Sequence, residues 1–307
     1  MIHVIGEILV DIFDDGLKKE VFPGGAPFNL ATNVAHFGGN VSFYGCVGND
    51  EYGSFLKKFA KKSHIKPLIL KTSKTRETSQ AVITLNNAER SFRFIRDNGA
   101  DYTLRLKNVE KMNIKKGDIV HIGSLMLSFP NSRNFFFKMV KLIKEKQALM
   151  SFDINYRDDI FDNRKQAKRI FKKAIKYADI LKISSEELDV LSPRKTFKSS
   201  VKFLVKKDQI AFISRGELGS CAYVNGSYVF QDTKFVKPVD TTGAGDAFYS
   251  YILYELDKNN LFLSNQEKLK EILFRANIVG AMATLKKGAI NVVPSIKELN
   301  SCLKELK

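Results

Sequence analysis

The chain has 307 residues, with Lys+Arg 50 against Asp+Glu 33, a formal net charge of +17, 44% hydrophobic and 27% charged residues. These values exclude a disordered chain, a collagen-like fibre and a disulfide-stapled miniprotein, and they leave enough chain to bury a large core. The excess charge invites a nucleic-acid partner, yet lysines such as Lys57, Lys58, Lys61 and Lys62 interleave with apolar residues at helical spacing, as on a solvated helix face.

In chain order, residues 2–10 form an apolar run that reads as a first strand, and Pro23-Gly24-Gly25-Ala26-Pro27 breaks it. Leu30, Val34 and Phe37 predict a helix over 28–37; a strand at 41–47 and an amphipathic helix at 51–63 follow. Residues 67–71, 79–85 and 91–95 read as short strands joined by Asn86-Asn87 and polar turns, with antiparallel pairing expected for strands so close. From 118 a strand-then-helix rhythm sets in: strands at 119–122, 149–152, 180–183 and 210–214, helices at 131–146, 163–177 and 185–191. Strands at 220–224 and 228–231 flank Asn225-Gly226, and long helices at about 244–257 and 266–284 close the chain.

The alternation indicates an α/β fold with a mainly parallel sheet covered on both faces. With no repeat and no linker, one domain over 1–307 is expected, carrying a small β extension built from about 11–22 and 67–97. Cys46, Cys221 and Cys302 form no pairing or metal pattern, which suits a reducing compartment. Met1-Ile2-His3-Val4 lacks a basic start, and no apolar run approaches the roughly 20 residues of a membrane span, so a cytoplasmic location without membrane contact is expected. There is no G-x-x-x-x-G-K-[ST] loop, no G-x-S-x-G elbow, and the four histidines show no metal spacing.

The sharpest chemical signal is Asp240-Thr241-Thr242-Gly243-Ala244-Gly245-Asp246, where small residues lead into a helix. Backbone amides at such a start can converge on a phosphate or a developing negative charge. Asp246 in the first turn puts a carboxylate beside that point, able to take a proton from an attacking hydroxyl. The same segment reads equally as a plain helix cap. A second segment, Gly24-Gly25-Ala26-Pro27-Phe28-Asn29, permits close backbone approach to a ligand, with Asn29 able to donate to and accept from sugar hydroxyls.

Together the two segments resemble the two signatures of the PfkB (ribokinase-like) family of carbohydrate kinases. Further elements match in order: Gly6-Glu7 and Asp11, Phe92 through Arg96 with Ala100-Asp101, Asp153-Ile154-Asn155-Tyr156-Arg157, Lys182 through Leu188, Ser214 through Gly219, and Asn277 with Lys286 through Ile290. The resemblance implies a ribokinase-like three-layer sandwich with a small β-sheet lid, and ATP-dependent phosphorylation of a sugar hydroxyl. Fructose leads as substrate, with 2-keto-3-deoxygluconate or another furanose-like sugar as alternatives. A non-catalytic sugar-binding relative is the other reading, and the intact Gly243-Ala244-Gly245-Asp246 argues against it.

Carried over, Asp246 is the general base, and the amides of Gly243, Ala244, Gly245 and Asp246 form the anion hole. Asp11, Gly25, Asn29, Arg96 and Arg157 bind sugar. Ser184, Gly216, Gly219 and Asn277 lie along the nucleotide. Glu187 helps place Mg²⁺ through water, and Asp240 and Thr242 match a monovalent-cation (K⁺) site. Exposed edges of the β extension invite pairing, so a homodimer through the lid is expected. Three departures stand out. Ser184 replaces a frequent Asn, Ser250 a frequent Gly, and Ala26 stands where ribokinases proper carry Lys, which counts against ribose.

Overall fold

A computed structural model describes residues 1–14, 16–86, 89–161, 163–234, 236–259, 265–290 and 292–305, without the side chains of 85–86, 89–92 and 159. Its elements are β1 (Ile2–Ile5), β2 (Leu9–Asp14), β3 (Lys19–Gly24), α1 (Ala26–His36), β4 (Val41–Val47), α2 (Glu51–Ala60), β5 (Leu68–Thr72), β6 (Gln80–Asn86), β7 (Glu89–Ile95), β8 (Ile119–Ile122), α3 (Pro130–Glu145), β9 (Leu149–Asp153), α4 (Arg164–Ile175), β10 (Ile180–Ser184), α5 (Ser185–Leu191), α6 (Phe197–Leu204), β11 (Ile210–Ser214), β12 (Ser220–Val224), β13 (Ser227–Gln231), α7 (Ala244–Lys258), α8 (Gln266–Ala283) and α9 (Ile296–Glu305).

Nine strands form one sheet in the order β13-β12-β11-β10-β9-β8-β1-β4-β5. Neighbours from β11 to β5 are parallel, and β12 and β13 return antiparallel at one edge. Successive strand residues point to opposite faces. Ile180 and Phe212 therefore join one core with Phe28, Ile252 and Leu273 of α1, α7 and α8. Leu181, Ile183, Ala211 and Ile213 join a second core with Phe136 and Phe171 of α3 and α4. Each fully buried side chain of this size contributes about 1.5–3 kcal/mol over its exposed state, so burial on both faces holds three layers together. The hairpin between β12 and β13 turns at Asn225 and Gly226 with φ of 51° and 85°, the positive pair that a two-residue type I′ turn demands.

A smaller sheet has the order β3-β2-β6-β7. It corrects two expectations. The strand read at 67–71 is β5, and it pairs in parallel with β4 at the edge of the large sheet rather than joining the extension. The reason is burial: Ile69 packs into one core while Leu68 and Leu70 pack against the other, so this strand needs cover on both faces. The pairing within the small sheet is also not all antiparallel, since β2 runs parallel to β6. The apolar run at 2–10 is two strands, not one. Gly6-Glu7-Ile8 crosses between the sheets, and a Cβ on Gly6 would come within 2.6 Å of Pro27 Cγ. Of the turn read at Asn86-Asn87, Asn87 lies outside the described residues.

The carboxyl ends of β9, β10 and β11 face the amino end of α7, which packs between α1 and α8. In open α/β sheets ligands gather at that end of the strands. No helix among the described residues is long and apolar enough to cross a membrane.

Candidate active site

The turn before α7 is built by Asp240. Its Oδ1 accepts from the Thr242 amide (3.0 Å) and hydroxyl (2.7 Å), and its Oδ2 accepts from the Gly288 amide (2.9 Å). Gly243 caps the helix at φ 77°, where a Cβ would lie 2.6 Å from Ala289 Cβ, so only glycine fits both the backbone and the space. The Ala244 amide turns back to the Thr241 carbonyl at 3.3 Å. Among the described residues, the amides of Gly243, Gly245 and Asp246 find no acceptor, as the first turn of a helix leaves them.

Asp246 sits in that first turn. Asn29 Nδ2, from α1, donates to its Oδ2 at 2.8 Å. Burial lifts the Asp246 carboxyl above the usual range, and the Asn29 hydrogen bond and the Lys182 and Arg157 charges oppose the rise. Gly25 opens α1 at φ 104°, and a Cβ there would fall 2.7 Å from the Glu7 carbonyl oxygen. Asp11 reaches the same junction from β2. Burial, and then the Asp246 and Asp240 charges, push its carboxyl up to about 7.

On the far side of the α7 turn lies a cavity of about 440 Å³. Ser184, Gly216, Gly219, Ala244, Gly245 and Asn277 line it, as do Arg157 and Glu187. Ser184 caps α5, and Glu187 completes a capping box, its Oε2 accepting from the Ser184 amide (2.7 Å) and its Oε1 from the Tyr156 amide (2.9 Å). Asn277 donates from Nδ2 to the carbonyls of Gln231 and Asp232, both at 3.2 Å. Ser250 does not face this cavity. Buried, it donates to the Asp246 carbonyl and accepts from Asn33 Nδ2, tying α7 to α1.

Asp11, Gly25, Asn29 and Asp246 meet on one side of the turn, and Ser184, Gly216, Gly219 and Asn277 line the cavity on the other; Arg157, expected with the sugar set, lines that cavity too, and its charge acts on Asp11 and Asp246. Arg96 departs from the expected sugar contact. Its guanidinium is 3% exposed and bonded to Asp101 Oδ2 (2.5 and 3.1 Å) and Ser128 Oγ (3.1 Å). A five-residue spacing between Arg and Asp does not show in sequence that the two close on each other in the interior.

Sequence reasoning assigned no role to three buried charges. Lys182 Nζ lies 3.1 Å from Asp153 Oδ1, and it lines the cavity. Burial works against the Lys182 ammonium, but the Asp153, Glu187 and Asp246 carboxylates more than offset it and its pKa is raised; burial pushes Asp153 up to about 7. Glu7 is 1% exposed, neither carboxyl oxygen has a hydrogen-bond partner among the described residues, and burial pushes it up to about 8. A lysine inside the apolar strand Ile180-Leu181-Lys182-Ile183 was the signal available for the first.

Comparison with known proteins shows the family to which this fold belongs. The signature of the pfkB family carbohydrate kinases matches residues 3–296. The probable fructokinase-2 of Arabidopsis thaliana is 33% identical over 285 residues, 92% of this chain and 87% of its own. The fructokinase of Vibrio alginolyticus is 30% identical over 302 residues, 97% of each chain. The crystal structure of Vibrio cholerae fructokinase, in its form bound to fructose, ADP and calcium ion, superposes with a TM-score of 0.88 at 30% identity, covering 98% of this chain and 97% of that one. With that signature running almost end to end and the relatives matched over nearly their full length, the chain belongs to the pfkB family of carbohydrate kinases.

Proposed function

We propose that this carbohydrate kinase is an ATP-dependent fructokinase. A fructose hydroxyl attacks the γ-phosphorus, a new O–P bond forms, and the bond to the β,γ-bridging oxygen breaks with its electron pair leaving on ADP. The hydroxyl proton passes to Asp246. One observation carries this reading: Asn29 holds Oδ2 of Asp246 at 2.8 Å, beside the amides of Gly245 and Asp246, which find no acceptor among the described residues. A base and an anion hole thus share one helix start. The phosphoryl-transfer transition state spreads charge over oxygens, so fixed donors do most of the work. A positioned base typically adds ~10²–10⁴-fold.

In this reading Asp11, Gly25, Asn29 and Arg157 hold the sugar, and Arg96 acts at a remove through Asp101. Ser184, Gly216, Gly219 and Asn277 lie along ATP. Among the described residues no cage of three His, Cys, Asp or Glu side chains gathers for a metal. Glu187, with both oxygens already accepting amides, suits a hydrated ion better than a directly ligated one, which fits Mg²⁺. Bound Mg²⁺ neutralises phosphate charge. K⁺ beside Asp240 and Thr242 would steady the turn before α7. The small sheet serves as a lid over the sugar, excluding water that would otherwise hydrolyse ATP, and its edges offer pairing to a second copy. The free cysteines and the ATP requirement suit the cytoplasm.

A sugar acid is disfavoured: Asp11 and Asp246 line the sugar side and already engage the Arg157 charge, and Arg96 is paired with Asp101. A coupled ADP-release assay over a sugar panel tests the reading. Fructose should give the highest kcat/KM and 2-keto-3-deoxygluconate little. Turnover confined to another sugar, or ADP release independent of sugar, would overturn it.

A further inference from the structure

Asn is a poor choice inside a helix, since its side chain competes for the backbone. α1 nevertheless carries two, Asn29 and Asn33, both buried and one helical turn apart. They face two residues of α7 with the same spacing. Asn29 Nδ2 donates to Asp246 Oδ2 at 2.8 Å, and Asn33 Nδ2 donates to Ser250 Oγ at 3.4 Å. Ser250 closes the ladder by donating its hydroxyl to the Asp246 carbonyl. Residues at this spacing lie about 6 Å apart along a helix axis, so both rungs form in a single register of α1 against α7. The rungs lie at the end of the seam nearest the active site. Farther along, the contact is apolar, with Phe37 edge-on to Tyr251 at 5.6 Å. The ladder is a poor stabiliser. The side-chain oxygens of Asn29 and Asn33 find no partner among the described residues, and an apolar pair at 33 and 250 would serve stability as well or better. What directional bonds add is alignment.

Resting on the reading of Asp246 as the base, we propose that Asn33 and Ser250 are positioning residues for the phosphoryl transfer. Neither lines the cavity. Asn33 sets where α1 stops along α7, Ser250 holds the carbonyl of Asp246, and together they place Asn29 so that its amide meets Oδ2. Asp246 then keeps one oxygen engaged and offers the other to the sugar hydroxyl. Bond making and breaking are those already given, and neither positioning residue gains or loses a proton. The charged groups around Asp246 come from other elements. Lys182 on β10 and Arg157 after β9 oppose its raised pKa, and Asp11, Glu7 and Asp153 are the neighbouring carboxyls. The Asn29 bond opposes the rise as well, so losing it lets the base titrate at higher pH.

The test is Asn33→Leu with Ser250→Ala, which removes both polar partners together. Melting should stay near the wild-type value, and ADP affinity should hold. Fructose kcat/KM should fall by about 10–10²-fold, the scale of a small displacement at the reacting atoms. The acid limb of its pH profile should move to higher pH, which a merely structural tie would not do. A cycle with Asn29→Ala isolates the route: in that background the same two changes should cost nothing further, because the contact through which they act is gone. Ser250→Thr, which keeps the hydroxyl, should retain most of the activity and the wild-type profile. Should the double variant lose its melting transition, Ser250→Ala, which removes a single oxygen, carries the same comparison. A folded variant with wild-type kcat/KM and pH profile would overturn the proposal, and so would a loss as large in the Asn29→Ala background as in the wild type. Asp246→Asn assayed beside it separates the two failures. Turnover unaffected by that change removes the base reading itself, whereas its collapse beside an unmoved double variant removes only the positioning role.

Discussion

The two sides of the α7 turn are built from opposite materials. On the side of Asn29, acids cluster: Asp11 and Glu7 are buried with their carboxyls pushed up to about 7 and about 8, and Asp246 is raised as well. On the side of the cavity, the backbone at Gly216 and Gly219 and the start of α7 line the space together with charged side chains of both signs, Lys182, Arg157 and Glu187 among them. On the proposed reading the difference follows what each reactant must do: an alcohol loses a proton and is met by carboxylates, while a phosphoryl group gathers negative charge and is met by fixed amides. One helix start separates the two, and Arg157 reaches both: it lines the cavity, and its charge acts on Asp11 and Asp246.

The comparison breaks most sharply at Asp246. Asp246→Asn keeps the shape and the amide while removing the base, so kcat should drop by ~10²–10⁴-fold or more. ADP affinity and melting temperature should barely move, because the substitution keeps the shape of the side chain and leaves the backbone amides of the α7 turn in place. Initial rates and calorimetry on one preparation check both halves. Near-normal turnover would place the base elsewhere.

A smaller effect separates the sides by strain. Gly25 has φ 104° and no room for a Cβ against the Glu7 carbonyl. Gly25→Ala should cost about 1–3 kcal/mol of stability, the range for a residue held outside its allowed backbone region. The same shift of α1 displaces Asn29, so fructose KM should rise while ADP affinity holds. A loss of ADP affinity equal to the loss for fructose would mean that the two sides are not independent.

How far the sequence went follows the same division. The turn at Asp240 through Asp246 was legible because glycine is demanded locally: Gly243 needs positive φ, and the helix pattern begins next to it. The three layers were legible because parallel strands covered on both faces read as unbroken apolar runs. What escaped depended on distant partners. The strand at 68–72 looked like its neighbours in composition, and only its two-sided burial sends it to the large sheet. Arg96 carried the family pattern, but Asp101 spends its charge in the interior. The Asp153–Lys182 pair exists only through the β9–β10 register, which no periodicity of either strand reveals.

The smallest effect sharpens the comparison through pH. Glu7 lies on the acid side, where Gly6-Glu7-Ile8 crosses between the sheets, and its carboxyl is raised from 4.5 to about 8, chiefly by burial. A carboxyl that binds its proton more tightly when folded gives the native state more protons than the unfolded chain between those two values. Stability contributed by this group is therefore full below about 4.5 and is lost as pH rises through about 8. The cavity side contains no group with this effect on the same scale except Asp153, whose raised pKa is tied to Lys182. Glu7→Gln keeps the shape and removes the titration. Melting temperatures recorded across that window should fall less steeply in Glu7→Gln than in the wild type, with the two closest at the acid end. Parallel curves would mean that Glu7 keeps its charge in the folded protein, drawn by Arg96, the nearest cation opposing its burial. Asp101 would then share that guanidinium instead of neutralising it alone, and the acid side would be less sharply divided from the cavity than its buried carboxyls indicate.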